Sequence, residues 1–154
     1  MREPGASAER RAVLIAGPTA SGKSALASRL AAKRGGIVVN ADSMQLYAEL
    51  SILTARPSAA DMRHVPHALY GFVPAAERFS VARWREAVSA VLDAAWQAGQ
   101  LPIVVGGTGL YFKALTEGIA AVPPIDPAVR AAVLERAERL GIPALHEELA
   151  RLDP

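Results

Sequence analysis

The chain has 154 residues, of which 51% are apolar and 21% charged, a composition that excludes a disordered chain and fits a globular protein with its own core. Its 17 basic and 15 acidic residues leave a net charge of +2, too small to indicate nucleic acid by charge alone. There is no cysteine, which excludes disulfides and thiolate metal sites, and no apolar run reaches the roughly 18 residues of a membrane span, so we predict a soluble, cytoplasmic protein with no membrane partner.

The first elements are predicted to be a strand, a helix and a second strand. Residues 1–11 mix charged residues with Pro, Gly and Ser and predict a disordered tail. Residues 12–16 (AVLIA) form a continuous apolar run, typical of a strand buried on both faces of a parallel sheet. A helix is predicted over 24–34, because basic residues occupy its last turn and a glycine pair follows as a stop. Residues 37–40 (IVVN) then supply a second buried strand.

A longer loop separates these elements from the next ones. Residues 41–66 lack a hydrophobic period and predict mostly loop, with a short helix after Ser58. Ser80 is placed to cap a helix whose apolar residues, Trp84 among them, recur at helical spacing until Gly99. We expect that tryptophan to pack in the core. A third buried strand follows in the sequence LPIVV.

Helices without further strands follow the third strand. We predict one helix over 108–117 and two more over 127–140 and 143–152. The alternation of strands and helices predicts an α/β fold with a parallel sheet flanked by helices, which residues 12–119 form. Residues 120–154 are expected to begin a helical part that has no sheet of its own to cover.

The segment between the first strand and the first helix, GPTASGKS, fits the G-x-x-x-x-G-K-[ST] pattern of a phosphate-binding P-loop, so the fold is predicted to be P-loop NTPase-like. Backbone N–H groups of such a loop converge on a diphosphate at a helix N-terminus, where partial positive charge favours an anion. Lys23 adds a positive charge against the terminal phosphate, and the Ser24 hydroxyl is suited to bind a Mg²⁺ that bridges phosphate oxygens. The predicted diphosphate-binding residues are Gly17, Pro18, Thr19, Ala20, Ser21, Gly22, Lys23 and Ser24.

Two side chains follow buried strands at the carboxyl edge of the sheet, where open α/β folds bind their ligands. Asp42 follows the second strand and Thr108 the third, so both should lie near the P-loop. Asp42 could equally be a turn or helix-cap residue, and Thr108 a helix N-cap. The third strand ends in Gly106-Gly107 rather than in the acidic residue with which an ATPase holds Mg²⁺, and this disfavours ATP hydrolysis. Whether the diphosphate belongs to a nucleotide or to another leaving group stays open on these residues.

Five ordered motifs resemble the tRNA dimethylallyltransferase family: GPTASGKS, NADSMQLY, TARPS, FSVARW and PIVVGGTGLYFKAL. The likeness covers residues 13–154 and is similar to the amino-terminal half of that family. It implies transfer of a dimethylallyl group from dimethylallyl diphosphate to the N6 amine of the adenosine next to the anticodon of tRNA. The P-loop would then hold the leaving diphosphate, and residues 120–154 would begin a helical tRNA-binding insertion.

The resemblance also implies roles for single residues. Asp42 would be the general base for the attacking amine, and Thr108 would hydrogen-bond near the transferred group. A carboxylate that accepts the proton would assist the poorly nucleophilic amine, and neutralising the charge of the diphosphate would assist its departure. The adenosine would have to be flipped out to reach the site. Residues 19–24 would contact the prenyl diphosphate with Mg²⁺ as cofactor, and ATP is an alternative occupant. The implied tRNA contacts are Asp42, Ser43, Met44, Gln45, Thr108 and Arg130.

The chain departs from the family pattern in two places. Family members often have glycine before the Thr-Ala of the third motif, where this chain has Leu53. The chain also ends at Pro154, before the family's later basic segments, so it resembles an amino-terminal fragment, and we expect it to be a monomer. Two other interpretations remain: a P-loop small-molecule kinase that uses ATP, and a truncated chain that binds diphosphate or tRNA without turnover.

Overall fold

The computed structural model describes residues 10–120 and 125–153 of the chain. The chain divides into two compact units, Met1–Ile119 and Ala120–Pro154. No helix within the described ranges is both long and apolar enough to cross a membrane.

The first unit alternates strands and helices, and their bounds differ from the predicted bounds by about one residue. The short helix predicted after Ser58 is a single 3-10 turn at Asp61–Arg63. The strands and α-helices in chain order are β1 (Val13–Ala16), α1 (Lys23–Arg34), β2 (Gly36–Asn40), β3 (His67–Ala68), α2 (Val81–Gln97), β4 (Leu101–Gly106) and α3 (Gly109–Thr116).

The four strands form one parallel sheet in the order β1-β4-β2-β3. β4 lies inside the sheet, because Ile103 pairs with Val13 of β1 on one side and with Val38 of β2 on the other. The prediction of three strands is wrong by one. β3 has two residues, too few to show a hydrophobic period, and joins the sheet where His67 pairs with Val38. Because all strands run the same way, the loops after β1, β2 and β4 meet at one edge.

Helices α2 and α3 cover one face of the sheet. Trp84 of α2 is fully buried, which confirms its predicted place in the core, and it stacks on Tyr111 of α3 with ring centroids 4.2 Å apart. The Trp84 Nε1–H donates to the main-chain carbonyl of Asn40 at 3.0 Å. As predicted, the Ser80 hydroxyl caps α2 by accepting the Arg83 N–H. α2 is therefore tied to the end of β2.

Helix α1 covers the opposite face and packs through small residues. Ala27 and Ala31 are buried one turn apart and bring the helix close to Val38 and Ile103. Gly35 ends the helix with left-handed backbone (φ 63°) and donates its N–H to the Ala31 carbonyl, which confirms the predicted glycine stop. This packing holds α1 against the sheet. The first turn of α1, which directly follows the P-loop, therefore lies at the carboxyl edge of the sheet.

The second unit contains two helices, α4 (Pro127–Leu140) and α5 (Ile142–Leu152), joined at Gly141. An ion pair between Arg136 and Glu148 links them. No residue of either helix is buried, and the described residues of this unit, 120 and 125–153, include no strand.

Most of the predicted disordered tail lies outside the described residues. Of its last two residues, Arg10 pairs with Asp93 at 3.2 Å, and the Arg11 carbonyl accepts the Trp96 Nε1–H at 2.8 Å. For the rest of residues 1–11 the disordered tail stays a prediction.

Gly106, the last residue of β4, has no room for a side chain. A Cβ there would lie 2.1 Å from the Ala41 carbonyl oxygen. We expect Gly106→Ala to destabilise the chain by about 1–3 kcal/mol, because the overpacked backbone has to shift. Gly109→Ala is the matched control, since a Cβ at Gly109 meets nothing within 4 Å. Urea unfolding measures both variants, and equal free energies of unfolding would contradict the prediction.

Candidate active site

The P-loop connects β1 to α1 at the carboxyl edge of the sheet. Its turn uses left-handed backbone at Gly22 (φ 79°) and at Ala20 (φ 62°), a conformation that alanine rarely adopts. Gly22 is the N-cap of α1 and has no side chain with which to cap the helix. The first amides of α1 therefore face no side-chain cap, and the partial positive charge of the helix end favours an anion in front of them.

A cleft of about 330 Å³ brings the P-loop together with the turn after β2. Lys23 of the P-loop and Asp42 of the turn both line this one cavity. Gly17 and Pro18 line a neighbouring groove instead. The residues around the cleft are Thr19, Ala20, Ser21, Gly22, Lys23, Ser24, Ala25, Asp42, Gln45, Thr54 and Ala55.

The Lys23 side chain folds back over its own loop. Its Nζ donates a hydrogen bond to the Pro18 carbonyl oxygen at 2.9 Å. This contact holds the ammonium group over the backbone turn and close to the N-terminus of α1. A bound diphosphate would meet the lysine charge and the helix amides together.

Asp42 takes both of the positions weighed from the sequence, in the turn and beside the P-loop. Its Oδ1 accepts the Met44 N–H at 3.0 Å, which is the turn contact, and its side chain also lines the cleft. The side chain is half-buried, and one oxygen is already bonded within the turn. The other oxygen, Oδ2, lies 3.8 Å from where a Cβ of Gly107 would be. Asp42 can therefore accept a proton from a ligand without releasing the turn.

Thr108 occupies the N-cap position of α3 but its side chain does not cap the helix. Its Oγ1 instead accepts the Ser43 N–H at 2.9 Å and donates to the Ser43 hydroxyl at 3.3 Å. The Thr108 N–H also donates to the Ala41 carbonyl at 3.3 Å. The structure thus brings Thr108 against the Asp42 turn, as predicted, through contacts with its flanking residues.

A segment that sequence reasoning left out of the site forms another wall of the cleft. Thr54 and its neighbour in the TARPS motif line the cavity. The Gln45 Nε2–H donates to the Thr54 carbonyl at 2.9 Å, and the Arg56 Nη1–H donates to the Tyr47 carbonyl at 3.1 Å. These two bonds fasten the segment to the turn after β2. The motif itself was the available signal, since its order along the chain already formed part of the family resemblance.

Two of the predicted tRNA contacts, Met44 and Arg130, lie in different units of the chain. Met44 is half-exposed, with 52% of its surface accessible, and belongs to the same turn as Asp42. Arg130 lies in the second unit, on α4, where it lines a groove with Val133 and Leu134. Its predicted role as a tRNA contact stays a prediction.

Two tyrosines lie in the electrostatic field of Asp42. Burial, with the negative charge of Asp42, raises the pKa of Tyr70 above its ordinary value. Burial, with Tyr47 and Asp42 nearby, raises the pKa of Tyr111 to about 12. Both hydroxyl groups therefore stay protonated near the carboxylate at neutral pH.

Tyr111 is expected to make the folded chain less stable in alkali. Its pKa is about 12 in the folded chain and about 10 when unfolded. As pH rises, the unfolded chain loses this proton first. The contribution of the Tyr111 hydroxyl to the free energy of unfolding is therefore fully present below about pH 10 and is lost between about pH 10 and 12. In Tyr111→Phe that contribution is absent. Urea unfolding at about pH 9 and pH 11 should show a smaller fall in the free energy of unfolding for the variant than for wild type. Equal falls would contradict the raised pKa.

Comparisons with known families agree with this architecture. The model of the family described as IPP transferase matches residues 45–154, and the model described as Isopentenyl transferase matches residues 10–69. The chain belongs to the IPP transferase family. The resemblance seen in its five motifs is confirmed at the level of the family.

Individual relatives support the same placement within the IPP transferase family. The chain is 59% identical over 145 residues to a tRNA dimethylallyltransferase of Rhodopseudomonas palustris, covering 94% of this chain and 44% of the relative. The solved tRNA isopentenylpyrophosphate transferase of Bacillus halodurans is 35% identical with a TM-score of 0.71, covering 95% of this chain and 48% of that one. A eukaryotic dimethylallyltransferase solved acting on tRNA is 33% identical with a TM-score of 0.69, covering 71% and 27%.

These solved structures confirm the predicted P-loop NTPase-like α/β fold. The chain spans less than half the length of the curated relatives it matches.

Proposed function

We propose that this IPP transferase chain carries the catalytic core that transfers a dimethylallyl group from dimethylallyl diphosphate to the N6 amine of the adenosine next to the anticodon of tRNA. The observation that carries the proposal is the single cleft lined by Lys23 and Asp42. A cation suits the departing diphosphate, and a carboxylate suits the attacking amine. The names of the relatives, tRNA dimethylallyltransferase and tRNA isopentenylpyrophosphate transferase, support this choice of substrates.

In the proposed reaction the N6 amine attacks the first carbon of the dimethylallyl group. The bond between that carbon and the diphosphate oxygen breaks, and the diphosphate leaves with the bonding electrons. The amides at the start of α1 and the Lys23 ammonium stabilise the negative charge of the leaving group. Asp42 accepts a proton from the attacking amine, so the product nitrogen is neutral.

Mg²⁺ is the proposed cofactor, and the donor set fits it. Ser24 lines the cleft, and its hydroxyl offers an oxygen atom of the kind that Mg²⁺ prefers. The described part of the chain has no cluster of three or more His, Cys, Asp or Glu side chains, so diphosphate oxygens would supply other ligands. When bound, Mg²⁺ adds positive charge beside the leaving group.

The proposed tRNA contacts surround the turn after β2. Ser43, Met44 and Gln45 belong to that turn, and Thr108 holds it through Ser43. Arg130 would add a contact from the second unit. The monomeric state and the cytoplasmic location stay predictions.

A labelled-prenyl transfer assay tests the proposal. The chain is incubated with radiolabelled dimethylallyl diphosphate, Mg²⁺ and an anticodon stem-loop RNA, beside a version extended by the carboxyl half of a relative. A stem-loop with guanosine in place of the target adenosine lacks the N6 amine and is the matched control. We expect label in the adenosine RNA alone.

The outcomes separate the alternatives. Label with the extended version alone would make the 154-residue chain a binding part of the enzyme without turnover of its own. No label with either version would contradict the proposal. Titration calorimetry that found tight ATP binding and no preference for dimethylallyl diphosphate would favour the small-molecule kinase instead.

A further inference from the structure

Asn40 is a polar side chain in the middle of the core. It is the last residue of β2, it is fully buried, and three hydrogen bonds join its side chain to main-chain atoms. Its Oδ1 accepts the Asp42 N–H at 2.9 Å. Its Nδ2 donates to the Asp42 carbonyl at 2.9 Å and to the Leu69 carbonyl at 3.0 Å. We call these three bonds the Asn40 network.

The chemistry of the partners fixes the orientation of the amide. A backbone N–H can only donate and a carbonyl can only accept, so exchanging the oxygen and nitrogen of Asn40 would break all three bonds. Both Nδ2 protons have partners, which is what a buried amide needs in order not to destabilise the fold.

The Asn40 network also connects two loops at the sheet edge. Leu69, just after β3, has left-handed backbone (φ 63°), which is strained for a side chain of its size. Its carbonyl is one of the two acceptors of the amide. The main-chain carbonyl of Asn40 accepts the indole N–H of Trp84, which lies on α2. The turn after β2 is therefore anchored in the core on one side and attached to the β3 loop on the other.

We propose that Asn40 is a positioning residue that fixes the main chain of Asp42 so that its carboxylate lines the P-loop cleft. The amide bonds both the N–H and the C=O of Asp42, which restricts the rotation of that residue about its backbone. A proton acceptor has to lie within hydrogen-bond reach of the amine, and small displacements of such a group cost large factors in rate. This inference rests on the proposed role of Asp42 as the base.

Hydrogen exchange of the wild-type chain tests the Asn40 network without any substitution. The Met44 amide in the same turn donates to the half-buried Asp42 carboxylate rather than to a buried group, so it is an internal reference. We expect the Asp42 amide to exchange about 100-fold more slowly than the Met44 amide, and at a rate close to that of Val39 in β2. Equal exchange of Asp42 and Met44 would overturn the proposal.

Substitution tests the effect on the reaction, in whichever version of the protein shows transfer. We expect Asn40→Ala to lower kcat about 100-fold. KM for tRNA and the Kd for dimethylallyl diphosphate should stay within about threefold, because the P-loop is intact. Asn40→Ser should recover part of the loss, since a hydroxyl can accept one bond and donate one. Gln97→Ala, at the exposed end of α2, is the control for loss of an amide and should match wild type.

The results distinguish this inference from the proposed function. An unchanged kcat in Asn40→Ala, or a Kd that rises as much as kcat falls, would overturn the positioning role. If neither the 154-residue chain nor its extended version transfers a prenyl group, the proposed function fails, and slow exchange of the Asp42 amide would then support only the positioning of the Asp42 carboxylate by the Asn40 network. If Asn40→Ala does not fold, the wild-type exchange comparison and Asn40→Ser decide the question.

Discussion

Asp42→Asn is expected to lower the rate of prenyl transfer about 10²–10⁴-fold, the usual range for removing a general base. The amide oxygen of asparagine can still accept the Met44 N–H, so the turn after β2 should keep its shape. What the variant lacks is an atom that takes the proton from the attacking amine. Single-turnover transfer with saturating dimethylallyl diphosphate measures this step directly.

Diphosphate binding provides the contrast for this variant. Titration calorimetry should give a Kd for dimethylallyl diphosphate within about threefold of wild type, because the P-loop is unchanged. Asp93→Asn, which alters an exposed carboxylate on α2, is the matched control and should transfer at the wild-type rate. If Asp42→Asn keeps half or more of the wild-type rate, Asp42 is not the base.

Lys23→Ala is expected to act on binding itself and to raise the Kd for dimethylallyl diphosphate about 10–100-fold. A hydrogen bond to a charged group contributes about 1.5–3 kcal/mol, and each 1.4 kcal/mol is about a factor of ten. Part of that gain is offset, since the ammonium has to leave the Pro18 carbonyl when the ligand arrives. Titration calorimetry with dimethylallyl diphosphate and, separately, inorganic pyrophosphate measures the change.

Lys33→Ala removes an equal charge from the other end of the same helix and serves as the control. It should leave the Kd within about twofold of wild type, because exposed charges this far apart are screened by salt. The melting temperature of Lys23→Ala should stay near that of wild type, since its bond to Pro18 is exposed. Equal affinities of the two variants would show that the P-loop lysine does not contact the ligand.

The sequence predicted most of the first unit because its elements are defined locally. Continuous apolar runs mark β1, β2 and β4, and glycines or a capping serine mark helix ends that the structure confirms. The missing element, β3, depends on contacts with a strand far along the chain, and two residues carry no period of their own. Strand order was equally beyond local patterns, since it depends on pairing between strands that are far apart in the sequence, such as β1 with β4.

The site was predictable in composition but not in its internal contacts. The P-loop and Asp42 each follow a strand at the same edge of the sheet, so a cleft lined by both could be expected. The partner of Thr108 could not, because Ser43 lies 65 residues away and a threonine before a helix normally caps it. The pattern around Asn40 predicts only the end of a strand, although a polar residue that ends a buried run needs hydrogen-bond partners.

Leu53 shows why one departure from the family pattern is tolerated. Its side chain is 87% exposed, so it displaces no neighbour. Its backbone is not left-handed, whereas that of Ala55 two residues later is (φ 48°). A glycine at position 53 is therefore not required by this backbone, and leucine fits there without strain.

Because Trp84 is buried next to the candidate active site, its fluorescence emission can monitor that site. Its indole touches no solvent, stacks on Tyr111 and donates to the carbonyl of Asn40, two residues before Asp42. Water reaching this indole would shift its emission to longer wavelength, as for any tryptophan that becomes hydrated. The other tryptophan, Trp96, also emits, so in a Trp96→Phe variant the emission wavelength reports whether the backbone next to the Asp42 carboxylate is intact, with no label attached.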